Sequence, residues 1–183
     1  MALAHETWTF DVYDFKVYPL LTDTGASATY GAAVDVPGIS QVSVDPNVVA
    51  AELKGDARIL AKRGKIDKFN LSATYGIISL DALVVIMGGA VTDVASTSAE
   101  WAYTPGTKLP YFKAAFKTED VETGIGDLHV TLEKCLLTGG TLLGGSSDEF
   151  GQPTMQMEGF APNATGGKMI RVKMLDAATN LPA

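Results

Sequence analysis

Cysteine is almost missing: Cys135 is the only one in 183 residues. No disulfide can form within the chain, and a reducing compartment is enough for it to fold. Histidine is nearly as scarce. His5 and His129 stand far apart, with no Cys or carboxylate cluster at a metal-ligating spacing near either, so no metal site is expected. Cys135 and His129 do not suit a nucleophile and its base, because six residues of extended chain separate two side chains by about 20 Å. The thiol is expected to be buried and inert. Long apolar runs are lacking as well. The longest, Ala82 to Val91, is interrupted by Gly88 and Gly89 and reaches about half of the ~20 residues a membrane-spanning helix needs. The first eight residues have neither the basic start nor the apolar stretch of a secretory signal, so export by that route is not expected. Basic charge is in deficit, with 14 Lys and Arg against 21 Asp and Glu, a net charge of −7. That balance disfavours a direct grip on nucleic acid, which rests on cations neutralising phosphates.

Catalytic constellations are absent too. The paired glycines Gly139-Gly140 and Gly144-Gly145 are not followed by Gly-Lys-Ser/Thr or by a helix, so they do not form a phosphate-cradling loop. Glu119, Asp120 and Glu122 read as a solvated loop rather than an acid/base pair. The sequons Asn70-Leu71-Ser72 and Asn163-Ala164-Thr165 carry no meaning without export. No catalytic, cofactor-binding or metal-binding residue is expected, and the chain is not expected to be an enzyme. Neither a repeat at periods of 20–50 residues nor a low-complexity tract divides it.

What is present is a β-rich pattern in an ordinary globular composition, 46% hydrophobic and 19% charged. Short runs of period-two alternation, separated by Gly, Pro, Asp and Ser, predict strands. They fall at Trp8–Leu21, Ile39–Val44, Val48–Leu53, Lys65–Tyr75, Glu100–Tyr103, Leu109–Lys117, Leu128–Leu137, Thr154–Phe160 and Lys168–Leu175. In one run Phe69, Leu71, Ala73 and Tyr75 share a face opposite Lys68, Asn70, Ser72 and Thr74. In another, Leu128, Val130 and Leu132 oppose His129, Thr131 and Glu133, which predicts a polar, partly acidic surface there. One helix is expected over Leu80–Met87, with Leu80, Leu83, Val84 and Met87 on its buried face, Ser79 as N-cap, Asp81 at the positive end of the dipole and Gly88-Gly89 as the stop. The fold class is mainly β, a sandwich or barrel with one short helix. A single domain over 1–183 is expected, with residues 1–33 as an N-terminal arm. Residues 138–151 are read as a flexible loop and residues 22–38 as a second loop.

Charge is unevenly placed. Between Asp56 and Lys68, five basic residues meet two acidic ones, whereas Glu119 to Glu133 holds five acidic residues and no Lys or Arg. Opposite patches on one chain suit head-to-tail self-association.

The stretch from Glu52 to Gly89 resembles the signature region of major tail tube proteins of long-tailed phages with non-contractile tails. The resemblance is carried by Glu52-Leu53-x-Gly55-Asp56, by the amphipathic strand ending in Tyr75-Gly76, and by Ser79-Leu80-Asp81-x-Leu83 closed by Gly88-Gly89. Pro110-Tyr111-Phe112, Lys134-Cys135-x-Leu137-Thr138-Gly139-Gly140 and Asp148-Glu149-Phe150 follow in the same order, so the similarity runs from about Val34 to Val172. It implies a virion protein, made in the host cytoplasm, that forms six-membered rings whose inner strands join into a continuous barrel. The rings stack into the tube through which DNA is ejected without specific binding. Tape-measure and tail-end proteins are the implied partners, with no cofactor and no membrane. The long hairpin from Val48 to Lys65, with Lys54, Asp56, Arg58, Lys62 and Arg63, is implied to reach the next ring or subunit. Thr131 and Glu133 are the candidates for lining the lumen, where excess carboxylates would repel phosphates; six copies carry 42 net negative charges. The end of the chain at Ala183 implies a smooth tube with no immunoglobulin-like appendage. The alternatives are a monomeric adhesive or ligand-binding β-domain and a tail completion or baseplate protein of the same fold.

Overall fold

In the computed structural model, which describes residues 11–55, 58–94, 98–118, 127–144, 151–175 and 179–182, nine strands share one antiparallel sheet. Its elements are β1 (Val12–Asp23), β2 (Ala28–Tyr30), β3 (Val34–Asp35), β4 (Ile39–Gly55), β5 (Arg58–Tyr75), β8 (Phe112–Thr118), β9 (Leu128–Thr141), β10 (Thr154–Phe160) and β11 (Ile170–Met174). Helix α1 (Leu80–Met87) and a separate hairpin, β6 (Ala90–Val94) with β7 (Ser98–Ala102), lie between β5 and β8. The main path runs β2-β1-β8-β9-β10-β5-β4 and curls until β1 lies against β4, so the sheet nearly closes on itself. The expected mainly β architecture with one helix is the observed one.

The inward face is a single apolar cluster. Phe15, Val17, Phe112 and Leu132 are wholly enclosed, and Leu71, Ala73, Tyr75, Met155 and Met157 join them from the far side of the curl. Phe15 and Phe116 stack with ring centroids 6.3 Å apart. This face follows from alternation: each of these strands puts every second side chain inward. Cys135 belongs to the same cluster, and burial pushes its thiol up to about 12.

Helix α1 has the expected bounds. The Ser79 hydroxyl accepts a hydrogen bond from the Ala82 N–H, and the Gly88 N–H donates to the Val84 carbonyl, closing the last turn. Its buried face is rotated from the expected one. Ala82, Leu83, Val85 and Ile86 are buried and Val84 and Met87 only half so, because β1 and β3 cover one flank while β6 and β7 cover another.

Other differences have local causes. Ile39–Val44 and Val48–Leu53 are one strand, continuous through Pro46, since β4 is the last strand of the sheet and a missing N–H is tolerated there. The expected loop over 22–38 contains β2 and β3. Within the segment 138–151, β9 runs on to Thr141, and Gly140 serves close approach: a Cβ there, where φ is +131°, would sit 2.2 Å from the Thr154 carbonyl oxygen of β10. Residues 145–150 of that segment lie outside the described residues, as do residues 1–10 of the expected arm and its first strand.

The outward face of β9 is not the solvated surface expected from its alternation. His129 and Glu133 are both buried, as is the neighbouring Asp127. Other parts of the chain cross over them. Thr179–Pro182 crosses this side of the sheet: the Thr179 N–H donates to Asp127 Oδ2 at 2.7 Å, the Tyr18 hydroxyl donates to the Pro182 carbonyl at 2.7 Å, and Leu181 packs on Tyr18 and Ala115. Lys117 stands 3.5 Å from Asp127, so the buried carboxylate meets a buried cation. At the end of β1, Asp23 accepts hydrogen bonds from Lys134 Nζ and from the Asn163 N–H, both at 2.6 Å, and thereby ties β1, β9 and the loop after β10 together.

Lys134, followed by the Asn163 N–H, holds the Asp23 carboxyl below the usual carboxylate range. A depressed carboxylate contributes stability that is present above its unfolded value, about 3.9, and is lost as pH falls through the folded value. Asp23→Asn is therefore expected to lower the urea midpoint at pH 7, and the gap from the unsubstituted chain should narrow steadily as the same titration is repeated at lower pH below about 4.

Candidate assembly surface

Strands β4 and β5 outrun the body of the protein. β10 pairs with β5 only as far as Phe69, and from there to the tip β5 has β4 as its sole strand neighbour among the described residues. The free part, Val48–Lys54 with Arg58–Asp67, projects about 25–30 Å at ~3.3 Å per residue, and every one of these residues is exposed. A bulge at Asn47/Val48 marks where the hairpin leaves the body, and a second at Leu53/Lys54 lies near its tip. Such bulges increase the twist of a two-stranded ribbon and re-aim it.

The hairpin has two unlike faces. One carries Val48, Ala50, Glu52 and Lys54 opposite Ile66, Gly64 and Lys62, and continues the inward side of the sheet past the rim of the core. On it Glu52 lies 3.1 Å from Lys62 and 3.7 Å from Lys54. The other face carries Val49, Ala51 and Leu53 opposite Lys65, Arg63 and Ala61. Val48, Val49, Leu53, Ile59, Leu60 and Ile66 are each 46–62% exposed. The outer edge of β4 has no strand beside it among the described residues.

Of the residues the sequence singled out for contact, Lys54, Arg58, Lys62 and Arg63 are all brought together on this projection. Asp56 lies outside the described residues. Sequence reasoning picked the charges and passed over the six aliphatic side chains. A signal for them existed: Val48-Val49 and Ile59-Leu60 place apolar residues on both faces of a strand, a pattern otherwise found where both faces are covered. Thr131 is half-buried and paired with Arg171 across β11. Glu133 is enclosed, receiving a hydrogen bond from the Tyr30 hydroxyl at 3.0 Å and facing Arg171 Nε at 2.6 Å. Burial, followed by the Glu133 charge, pushes the Tyr30 hydroxyl well above its ordinary range.

At the other end of the body sits α1, which follows the end of β5 at Tyr75, while the hairpin tip lies at its start. Two depressions flank the helix. One, of about 210 Å³, is apolar and lined by Tyr75, Leu83, Ile86, Leu137 and Met155. The other is an open groove of about 720 Å³ between α1, Val91 and the Val34–Asp35 strand. Among the described residues, no three His, Cys, Asp or Glu side chains are placed to share a metal ion.

No protein-family model matches the chain, and no curated protein matches it. Several solved structures are similar to it over nearly the whole length of both chains, three of them as follows. One is the tube-terminating cap of the anti-feeding prophage, 11% identical over 96% of this chain and 95% of that one, with a TM-score of 0.46. A chain from the extended sheath-tube complex of the extracellular contractile injection system PVC is 8% identical over 93% of each, with a TM-score of 0.44. A chain of the anti-feeding prophage baseplate is 12% identical over 94% of this chain and 97% of that one, with a TM-score of 0.38.

Because Leu53 and Leu60 are exposed and the projecting hairpin packs on no other element among the described residues, Leu53→Ser and Leu60→Ser are expected to leave the urea unfolding free energy of unassembled protein within about 0.5 kcal/mol of its original value. A loss of ~2 kcal/mol or more, the size expected of a core truncation, would mean that the hairpin folds back on the body.

Proposed function

We propose that the chain is a tail tube subunit, of the long non-contractile kind its sequence resembles, which closes into six-membered rings that stack around a DNA conduit. The observation that carries this reading is the outer edge of β4, which no strand pairs among the described residues, together with the projecting aliphatic hairpin it forms with β5. A long edge strand presents a row of free backbone N–H and C=O groups, and soluble monomers blunt such edges with charge, bulges or a covering element. Here the edge carries apolar residues on both faces, so a neighbouring copy is the cover that fits. Joining sheet edges around a ring removes them altogether.

Magnitudes favour a closed assembly over a pair. Covering six half-exposed aliphatic side chains is worth on the order of 5–8 kcal/mol, while association costs roughly 4–15 kcal/mol in lost freedom and ordering. One hairpin contact alone is marginal. A subunit in a ring and a stack makes several contacts for one loss of freedom, so assembly should be abrupt in concentration. If the Thr131 and Glu133 face of β9 lines the lumen, Glu133 contributes there as a pair matched by Arg171, and net repulsion of DNA rests on the chain's other carboxylates.

Negative-stain electron microscopy beside light scattering tests the reading. Tubes, or rings with six-fold symmetry, are expected above a threshold concentration. A monomer from micromolar to millimolar concentration would instead favour an adhesive or ligand-binding domain, and discrete rings that never stack would favour a completion or baseplate protein.

A further inference from the structure

We propose that the groove beside α1 is the seat for the hairpin of another copy, engaged through the hairpin face that carries Val49, Leu53, Arg63 and Lys65. This rests on the tube reading and names the two surfaces that stacking would bring together. The groove has an apolar floor, Val34, Val84, Val85 and Val91, and an acidic rim, Asp35 and Asp81. It runs into a second depression of about 310 Å³, which shares Asp35 and adds Asp14.

Three observations match groove to hairpin. The first is direction: the hairpin leaves one end of β5 and the groove lies at the other, beyond Tyr75, so copies translated along the strand axis meet hairpin to groove. Such a contact joins two different surfaces and propagates, as a stack requires. The second is charge. Residues 48–67 carry five Lys and Arg against three Asp and Glu, a net of +2, which leaves −9 on the rest of the chain. The two hairpin faces differ in how far their cations are matched: on one, Glu52 pairs with both Lys62 and Lys54, whereas on the other Asp67 reaches Lys65 only at 4.0 Å and Arg63 has no carboxylate partner among the described residues. The third is the state of the groove's rim. Asp35 has no ion pair of its own among the described residues: Lys16 stands opposite it on β1 but pairs with Asp14 at 3.7 Å, and burial, followed by the Asp14 charge, raises the Asp35 carboxyl. Asp81 has no ion-pair partner among the described residues. An incoming Arg or Lys would supply what these carboxylates lack, while Val49 and Leu53 cover the valine floor.

Charge reversal on each side tests the pairing, with sedimentation and electron microscopy as readouts and circular dichroism as the check on folding. Arg63→Glu with Lys65→Glu, or Asp35→Lys with Asp81→Lys, should each raise the concentration needed for assembly by about 100-fold, since like charges face each other at two points. The two variants mixed in equal amounts should assemble together, and a chain carrying all four substitutions should assemble with itself; misfolding could produce neither result. Assembly of either double variant at the original concentration would overturn the groove assignment and leave the tube reading standing. Failure of the mixture and of the fourfold variant to assemble would overturn it as well. An unsubstituted chain that never assembles would overturn the tube reading itself, and the groove assignment with it.

Discussion

Everything in this fold hangs on the division of labour along β9. A strand offers two hydrogen-bonding edges, yet β9 has three partners. On one edge β8 pairs with Leu128–Cys135; on the other, β11 takes Leu128–Leu132 and β10 takes Lys134–Thr141. Fourteen residues are long enough for two partners to follow one another along a single edge. A register shift in the pairing with β8, between Leu132 and Cys135, falls where β11 gives way to β10 and lets the sheet turn, carrying β10, β5 and β4 round until β4 lies against β1. The core is the space that this turn encloses. The helix plugs one end of it, and the hairpin leaves by the other.

The outward face of the same strand carries a second, polar layer. Burying Asp127 and Glu133 without partners would cost several kcal/mol each. Lys117 and the Thr179 amide answer one, Arg171 and Tyr30 the other. Lys113 fits the same layer, lying over the rings of Tyr18 and Tyr30 with its amine lowered by burial. These contacts fix Tyr30 of β2 and the segment Thr179–Pro182 against the outward side of the sheet, so charge helps set the position of elements that have few apolar residues of their own to hold them.

Local chemistry made part of this legible from the sequence. The helix was bounded by its own cap and stop, β10 was recovered to the residue, and alternation assigned the inward side chains of β5 and β9. What escaped depends on partners distant in sequence. Nothing near Glu133 says that Tyr30 and Arg171 will cover it, and nothing near Gly140 says that Thr154 will press against it. The exposure of Val48 and Ile66 likewise follows from β10 stopping at Phe69, almost a hundred residues away. Their alternation is that of a core strand, and only the sheet's outline shows that the core has already ended. The basic residues of the hairpin were easier to find because their clustering is visible along the chain.

The pairing of β1 with β8 bears on how the chain is made. Val17 lies opposite Ala114, nearly a hundred residues later, whereas β4 and β5 meet through a tight hairpin. At roughly 5–20 residues per second, synthesis leaves Phe15 and Val17 without their partner strand for about 5–20 s. In that interval the hairpin can already have formed, in microseconds. The exposed aliphatic hairpin of each molecule thus exists before its core does, and nascent chains on neighbouring ribosomes carry it with no finished body beneath.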